Sequence, residues 1–375
     1  MATEYRSRRF RDGDAPAINA LFEQVTGRRR SVEQFEWQWL SAPGGPGEIW
    51  LIEAIADNGD ATLIGHHGIM PIRFSRGGDD FLFGKTENTM VLPEYRSRIL
   101  YPRFEKRFAA EYESRFSALF STTGPPEALR QRRALGYRFS STWVRARFTT
   151  GVGATARLLS GILLRRIFAR RPGSPQAGEA RYEPIRVSRA GAPLVLRALT
   201  DGQASRDDFF SGFWPGCRSR FGLTPRRDRE DLDWRFWSNP YAQHINLVSD
   251  ACSDETGYVI LKTNGARRRS VLIEDIVPSN PGIEGFRRLL VSALAWMRAN
   301  RIDSADFATT RDQGTANDLI DAMSGRNLYN RRLLSRFHRQ PSAQMPRKIT
   351  ASGLAAGLDT AGWFVTPMLS EGRND

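Results

Sequence analysis

Apolar and polar positions along this chain follow two rhythms, one helical and one alternating. In residues 15–26 the apolar side chains Ile18, Leu21, Phe22 and Val25 recur at helical spacing, and Asp14 stands where an N-cap is expected. Residues 49–55 and 62–74 are rich in β-branched and aromatic types, and Asp57-Asn58-Gly59-Asp60 between them signals a hairpin turn. Residues 81–92 form a third extended stretch. Two helices are predicted over 101–112 and 126–135. The first tolerates Pro102 in its opening turn, and Gly136 stops the second. A short buried strand over 117–121 separates them, and a strand over 139–148 follows.

The pattern then starts again. A helix over 194–199, strands over 245–249, 257–263 and 270–277, a helix over 285–299, a strand over 304–309 and a helix over 315–323 come in the same order. Sequence echoes accompany them. Phe35-Glu36-Trp37-Gln38-Trp39-Leu40-Ser41-Ala42-Pro43 returns as Leu232-Asp233-Trp234-Arg235-Phe236-Trp237-Ser238-Asn239-Pro240. Met90-Val91-Leu92-Pro93 answers to Asp275-Ile276-Val277-Pro278, and Phe120-Ser121-Thr122-Thr123-Gly124 to Phe307-Ala308-Thr309-Thr310. Three echoes in one order, at an offset of about 190 residues, indicate two whole domains and not a solenoid, whose repeats reach about 50. The expected organisation is α+β: a first mixed-sheet domain over 1–150, a basic linker over 151–181, a second domain over 182–340 and a tail over 341–375. In the tail, Trp363-Phe364-Val365 is expected to add one strand.

Charge changes this picture more than composition does. The 375 residues carry 55 Lys+Arg against 41 Asp+Glu, a net charge of +14. Arg-rich coding accounts for part of that excess; the alternative is an anionic partner, such as a phosphorylated cofactor or an acidic membrane surface. Only Cys217 and Cys252 are present, in no metal-ligand spacing, so no metal is expected and a reducing compartment is the default. No apolar run reaches the roughly 20 residues that span a bilayer. The expected setting is cytoplasmic, with a peripheral contact at the inner membrane. Nucleic acid is not an expected partner, since no helix-turn-helix or basic–aromatic interleaving is present.

One arrangement points to chemistry. A strand runs into Val91-Leu92-Pro93-Glu94-Tyr95-Arg96-Ser97-Arg98, and a helix follows. Free N–H groups at a helix start, with the helix dipole and two adjacent guanidinium groups, suit a pyrophosphate. This strand, the helix, the short strand and a second helix closing in Leu135-Gly136-Tyr137 together resemble the GNAT (Gcn5-related N-acetyltransferase) superfamily. The resemblance covers about 300 residues as two GNAT-like domains in tandem. It implies acyl-CoA as co-substrate, with the pyrophosphate turn carried over to Arg96, Ser97, Arg98, Ile99 and Leu100, and with Val91 on the strand that pairs the pantetheine arm. The family's two turn glycines are replaced by Ile99 and Tyr101, so the phosphates would lean on Arg side chains. Pro281-Gly282-Ile283-Glu284-Gly285 opens the corresponding helix of the second copy and is a competing donor site.

Acyl transfer to an amine needs a base, an oxyanion donor and an acid for the leaving thiolate. Glu87 lies on the strand entering the turn and is a candidate base; a solvated polar strand face is the bland alternative. His66 and His67 are adjacent on a strand, so one of them faces inward, as a buried hydrogen-bonded ring or as a base. Tyr137 closes the second helix, where the resemblance implies a thiolate-protonating Tyr, or simple packing. Glu274 and Asp275 stand on the corresponding strand of the second copy as acceptor anchors or ion-pair partners. Trp37 and Trp234, at matching places, are either core or a stacking surface for substrate.

The linker mixes apolar residues with Arg165, Arg166, Arg170 and Arg171, as a connecting helix or a patch on an anionic membrane would. The expected function is acyl-CoA-dependent N-acyl transfer to a primary amine of a cell-envelope precursor, an amino sugar or an amino lipid such as a sphingoid base. Direct attack is expected, because no Cys or Ser sits in a recognisable nucleophile setting. The alternatives are a donor carried on a protein or tRNA, as in the tandem GNAT-like aminoacyltransferases of peptidoglycan bridges, and a degenerate fold kept for binding.

Overall fold

The computed structural model describes residues 4–98, 100–122, 124, 126–150, 186–187, 194–250, 255–263, 269–324, 328–329 and 344–369. The predicted linker helix within 151–181 lies outside them. The elements of the first part are β1 (Glu4–Arg9), α1 (Ala15–Thr26), α2 (Val32–Trp39), β2 (Glu48–Ile55), β3 (Ala61–Arg76), β4 (Asp79–Val91), α3 (Leu100–Tyr112), β5 (Ala118–Phe120), α4 (Pro126–Ala134) and β6 (Arg138–Thr149). Then come β7 (Arg186–Val187), β8 (Leu196–Leu199), α5 (Asp201–Ala204), α6 (Asp208–Cys217), β9 (Thr224–Pro225), α7 (Arg229–Leu232), β10 (Gln243–Ser249), β11 (Gly257–Thr263) and β12 (Ser270–Pro278). Last are α8 (Ile283–Ala299), β13 (Ser304–Arg311), α9 (Thr315–Ser324), β14 (Leu328–Tyr329), β15 (Gln344–Ile349) and α10 (Ala351–Ala355).

Among the described residues one sheet of thirteen strands runs in the order β1-β2-β3-β4-β5-β15-β6-β13-β12-β11-β10-β8, with β9 added beside β3. Its two ends mirror each other. In each, an antiparallel hairpin series leads to a strand that pairs in parallel with the next: β4 with β5, and β12 with β13. An antiparallel strand then closes each set, and here the two parts exchange. β6, expected to close the first copy, pairs with β13 instead, while β15 from the tail takes the place beside β5. β15 and β6 also pair with each other, which fuses the two sets into one sheet.

The echoed Trp segments meet each other. Trp37 Nε1 donates to the Trp234 carbonyl at 2.6 Å and Trp234 Nε1 to the Trp37 carbonyl at 2.9 Å. Their buried rings stack 5.7 Å apart. A reciprocal pair of this kind is what a local two-fold relation between duplicated segments produces. Trp39 lies against the sheet, where Gly68 makes room for it: a Cβ at Gly68 would come within 2.1 Å of the indole.

Several expectations change. Asp14 holds the N-cap position of α1 as expected, but its carboxylate is held by Arg8 and by the Arg11 N–H and makes no side-chain cap. Residues 194–199 hold a strand, β8, because Leu196–Leu199 pairs with β10 at the sheet edge. The strand contributed by the tail is β15, and Trp363 makes only an isolated bridge to Leu223.

Candidate functional site

β4 carries the site's geometry. His66 pairs with Met90 and Gly68 with Glu87, so β4 holds one residue more than β3 between those pairs. This is a β-bulge, and Asn88 in it has φ 49°, in the left-handed region. β12 has the same irregularity around Glu274. Bulges of this kind bend a strand and interrupt its pairing. The parallel ladder of β4 with β5 ends at Lys85 and Phe120, while β4 runs on to Val91. Past that ladder β4 runs on without β5 beside it, because β5 ends at Phe120. At the end of β4 the chain enters a 3-10 turn, Pro93–Arg98, followed by α3. The exposed Arg96 side chain donates through Nε to the Val91 carbonyl at 3.0 Å, which ties its guanidinium to the strand end. Ile99 lies outside the described residues, as do the side chains of Ser97, Arg98 and Leu100.

In the second part β12 and β13 both run on past their last pair, Ile273 and Phe307, and the splay between them is occupied. Thr309 Oγ1 donates to the Val365 carbonyl at 2.9 Å, and Thr366 Oγ1 donates to Asp275 Oδ1 at 2.8 Å. Pro367–Leu369 packs against both β12 and β13. Phe364 packs on Phe286 of α8. Gly285, the small residue noted at this helix start, is required by packing: a Cβ there would lie 2.2 Å from the Asn280 carbonyl.

Glu87 is buried and pairs with Lys85 Nζ at 2.5 Å, so the face read as solvated is an interior ion pair. His66 and His67 are both fully buried. His66 Nδ1 lies 2.7 Å from the Asn88 carbonyl, so that nitrogen carries the hydrogen. Burial pushes the His66 ring down to about 3, against the Asn88 hydrogen bond, and nearby Arg30 lowers it further. His67 Nδ1 is 3.1 Å from Thr89 Oγ1 and Nε2 is 3.1 Å from Glu105 Oε2; burial again lowers the ring, opposed by Glu105. Tyr137 is buried beneath the Arg132 guanidinium, 5.2 Å from its ring; burial raises the phenol and Arg132 works against it.

Glu274 and Asp275 are both buried but do different things. Glu274 lies 3.1 Å from His244 Nε2 and 3.5 Å from Lys262 Nζ. Burial opposes its charge, yet His244 and Lys262 together lower it. Asp275 takes the fork of Arg227 at 2.8 and 3.2 Å and hydroxyls from Tyr258 and Thr366, each at 2.8 Å. Trp37 and Trp234 are brought together as a core pair. Thus Glu87, His66, His67 and the strand end of Val91 and Arg96 share one neighbourhood, and Glu274 and Asp275 belong to the other set of strands. Lys85, Thr89, Glu105 and His244 were missed. Their signals, a Lys two residues from Glu87 and a Glu and Tyr one helical face apart in α3, are too common to single out.

Comparison of the whole chain with solved structures finds similar folds. A protein from Enterococcus faecalis V583, described as a probable N-acyltransferase, superposes with a TM-score of 0.59 at 12% identity, over 94% of this chain and 74% of that one. A GCN5-related N-acetyltransferase from Anabaena variabilis superposes with a TM-score of 0.59 at 11% identity, over 95% and 75%. The chain has a GNAT-like fold. Eis1 from Mycobacterium abscessus is similar at a TM-score of 0.51 and 13% identity, over 96% and 76%. No protein-family model matches the sequence, and no curated protein does. The expected mixed-sheet GNAT-like architecture therefore holds.

Proposed function

We propose that this chain is an N-acyltransferase that moves an acyl group from acyl-CoA to a primary amine, with the donor in the first part. The observation that carries the proposal is the asymmetry of the two parallel ladder ends. Residues 363–369 fill the second one, whereas β4 leads into a turn with an exposed, anchored Arg96 ahead of a helix. In this reading the pantetheine arm lies along β4 up to Val91, and the diphosphate meets Arg96, the Ser97–Leu100 backbone and Arg98. The bulge aims a backbone N–H at the thioester oxygen. Glu87 takes the proton of the acceptor ammonium, and Tyr137, kept protonated by burial, offers a hydrogen bond to the leaving sulfur.

The acceptor is an amine of an envelope precursor, an amino sugar or amino lipid, handled in the cytoplasm beside an anionic membrane. The +14 charge supports that setting. No described helix is long and apolar enough to cross a membrane. Isothermal titration with CoA tests the donor assignment: binding is expected, and Arg96→Ala is expected to weaken it about 10-fold, the scale of one charge-assisted hydrogen bond. An unchanged affinity would move the donor away from this turn. A protein-bound or tRNA-bound donor would show no affinity for free CoA.

A further inference from the structure

On the α3 side of β4 a hydroxyl, an imidazole and a carboxylate stand close together. Thr89 Oγ1 lies 3.1 Å from His67 Nδ1, and His67 Nε2 lies 3.1 Å from Glu105 Oε2. The other Glu105 oxygen accepts from Tyr112 Oη at 2.7 Å. The His67 ring is stacked on Phe108, with 7° between planes, and leans on Trp50, so it is fixed in this orientation. A carboxylate beside Nε2 places the ring hydrogen there and leaves the Nδ1 lone pair facing the Thr89 hydroxyl. Burial holds the ring in its neutral, basic form. Thr89 is half-buried, belongs to the β4 bulge, and lies past the last residue that β5 pairs. Nucleophile, base and orienting acid thus occupy hydrogen-bond reach of one another at the strand assigned to the thioester. Direct attack is expected from the sequence because no Cys or Ser sits in a recognisable nucleophile setting; the fold brings a Thr hydroxyl and an imidazole 22 positions apart together.

We propose that Thr89 is an acyl-accepting nucleophile, activated by His67 and oriented through Glu105, and that transfer passes through an O-acyl-Thr89 ester. This rests on the acyl-thioester reading of the site. In the first step Thr89 Oγ1 bonds to the thioester carbonyl carbon and its proton moves to His67 Nδ1. The C–S bond then breaks, and the sulfur leaves with the bonding pair and takes that proton as the thiol. In the second step the acceptor nitrogen bonds to the ester carbonyl and gives a proton to His67. The C–O bond breaks and Oγ1 recovers that proton. Thioester and amine become thiol and amide, and the protein is unchanged.

The experiment mixes the full-length chain with acetyl-CoA and no acceptor, and follows thiol release, intact mass and peptide mapping beside CoA calorimetry. The expected result is a burst of about one thiol per chain and an acetyl group on Thr89 that hydroxylamine removes. Thr89→Ser keeps both, Thr89→Val loses both, and His67→Gln slows the burst at least about 100-fold. CoA binding without burst or adduct, an adduct elsewhere, or an undiminished burst in Thr89→Val overturns the covalent step and leaves the acyl-CoA reading standing. Absence of CoA binding removes both.

Discussion

Gly68 shows how a single missing Cβ sets up the neighbourhood of the site. Its backbone lies under Trp39, whose ring in turn meets His66 edge-on at 5.3 Å. Gly68→Ala drives a methyl into the indole, and overpacking of this kind costs about 1–3 kcal/mol. Urea denaturation is expected to show that loss with the m-value unchanged. His244 offers a second test, of pH. Burial disfavours its charged ring, but Asp201 and Glu274 outweigh burial and raise its pKa above the ordinary value. A raised folded pKa stabilises fully below the unfolded value of about 6.5 and is lost as pH rises through the folded one. The melting temperature is therefore expected to fall between pH 6 and pH 9 more steeply in the wild type than in His244→Gln. Equal slopes would deny His244 a charged partnership. Neither residue declared its role in the sequence. Alternation does put His66 and His67 on opposite faces, but the Asn88 carbonyl and Glu105 that define them come from other elements.

At the scale of elements, periodicity located most strands and helices, because their buried faces impose it locally. β15 and β8 were not legible. β15 carries Pro346, Arg347 and Lys348, and it is a strand only because β5 and β6 leave a vacancy between them. Tertiary pairing outweighs propensity there. The segment 363–369 likewise has no local pattern; its position is fixed by partners. Chief among them is the fully buried Arg227–Asp275 pair, to which Thr366 and Thr224 are joined. Removing one side of a buried pair strands the other charge and costs about 3–5 kcal/mol. Arg227→Ala is expected to lose that much stability and to loosen the segment, detected as faster amide exchange at 363–366. If the segment kept its protection, the ion pair would not be what holds it in the second splay.

For the whole molecule the exchange of closing strands matters most. The repeated echoes announced two similar units, yet they could not reveal that each unit borrows its last strand from elsewhere: β6 serves β13, and β15 serves β5. Neither unit is then complete by itself. A fragment 1–150 would leave β5 unpaired where β15 belongs and expose β6 on both edges. A fragment 194–375 would carry β13 with a bare edge. Unpaired edges of buried strands recruit other chains. Each fragment expressed alone is expected to aggregate, whereas the two co-expressed are expected to elute as a one-to-one complex with a single melting transition, because the sheet closes across the cut. The described ladders joining the two parts all lie outside residues 151–193, so the cut leaves them intact. A monomeric fragment 1–150 that melts cooperatively would show that the first unit closes its sheet with β6 after all, and that the exchange adds connection without being required for folding.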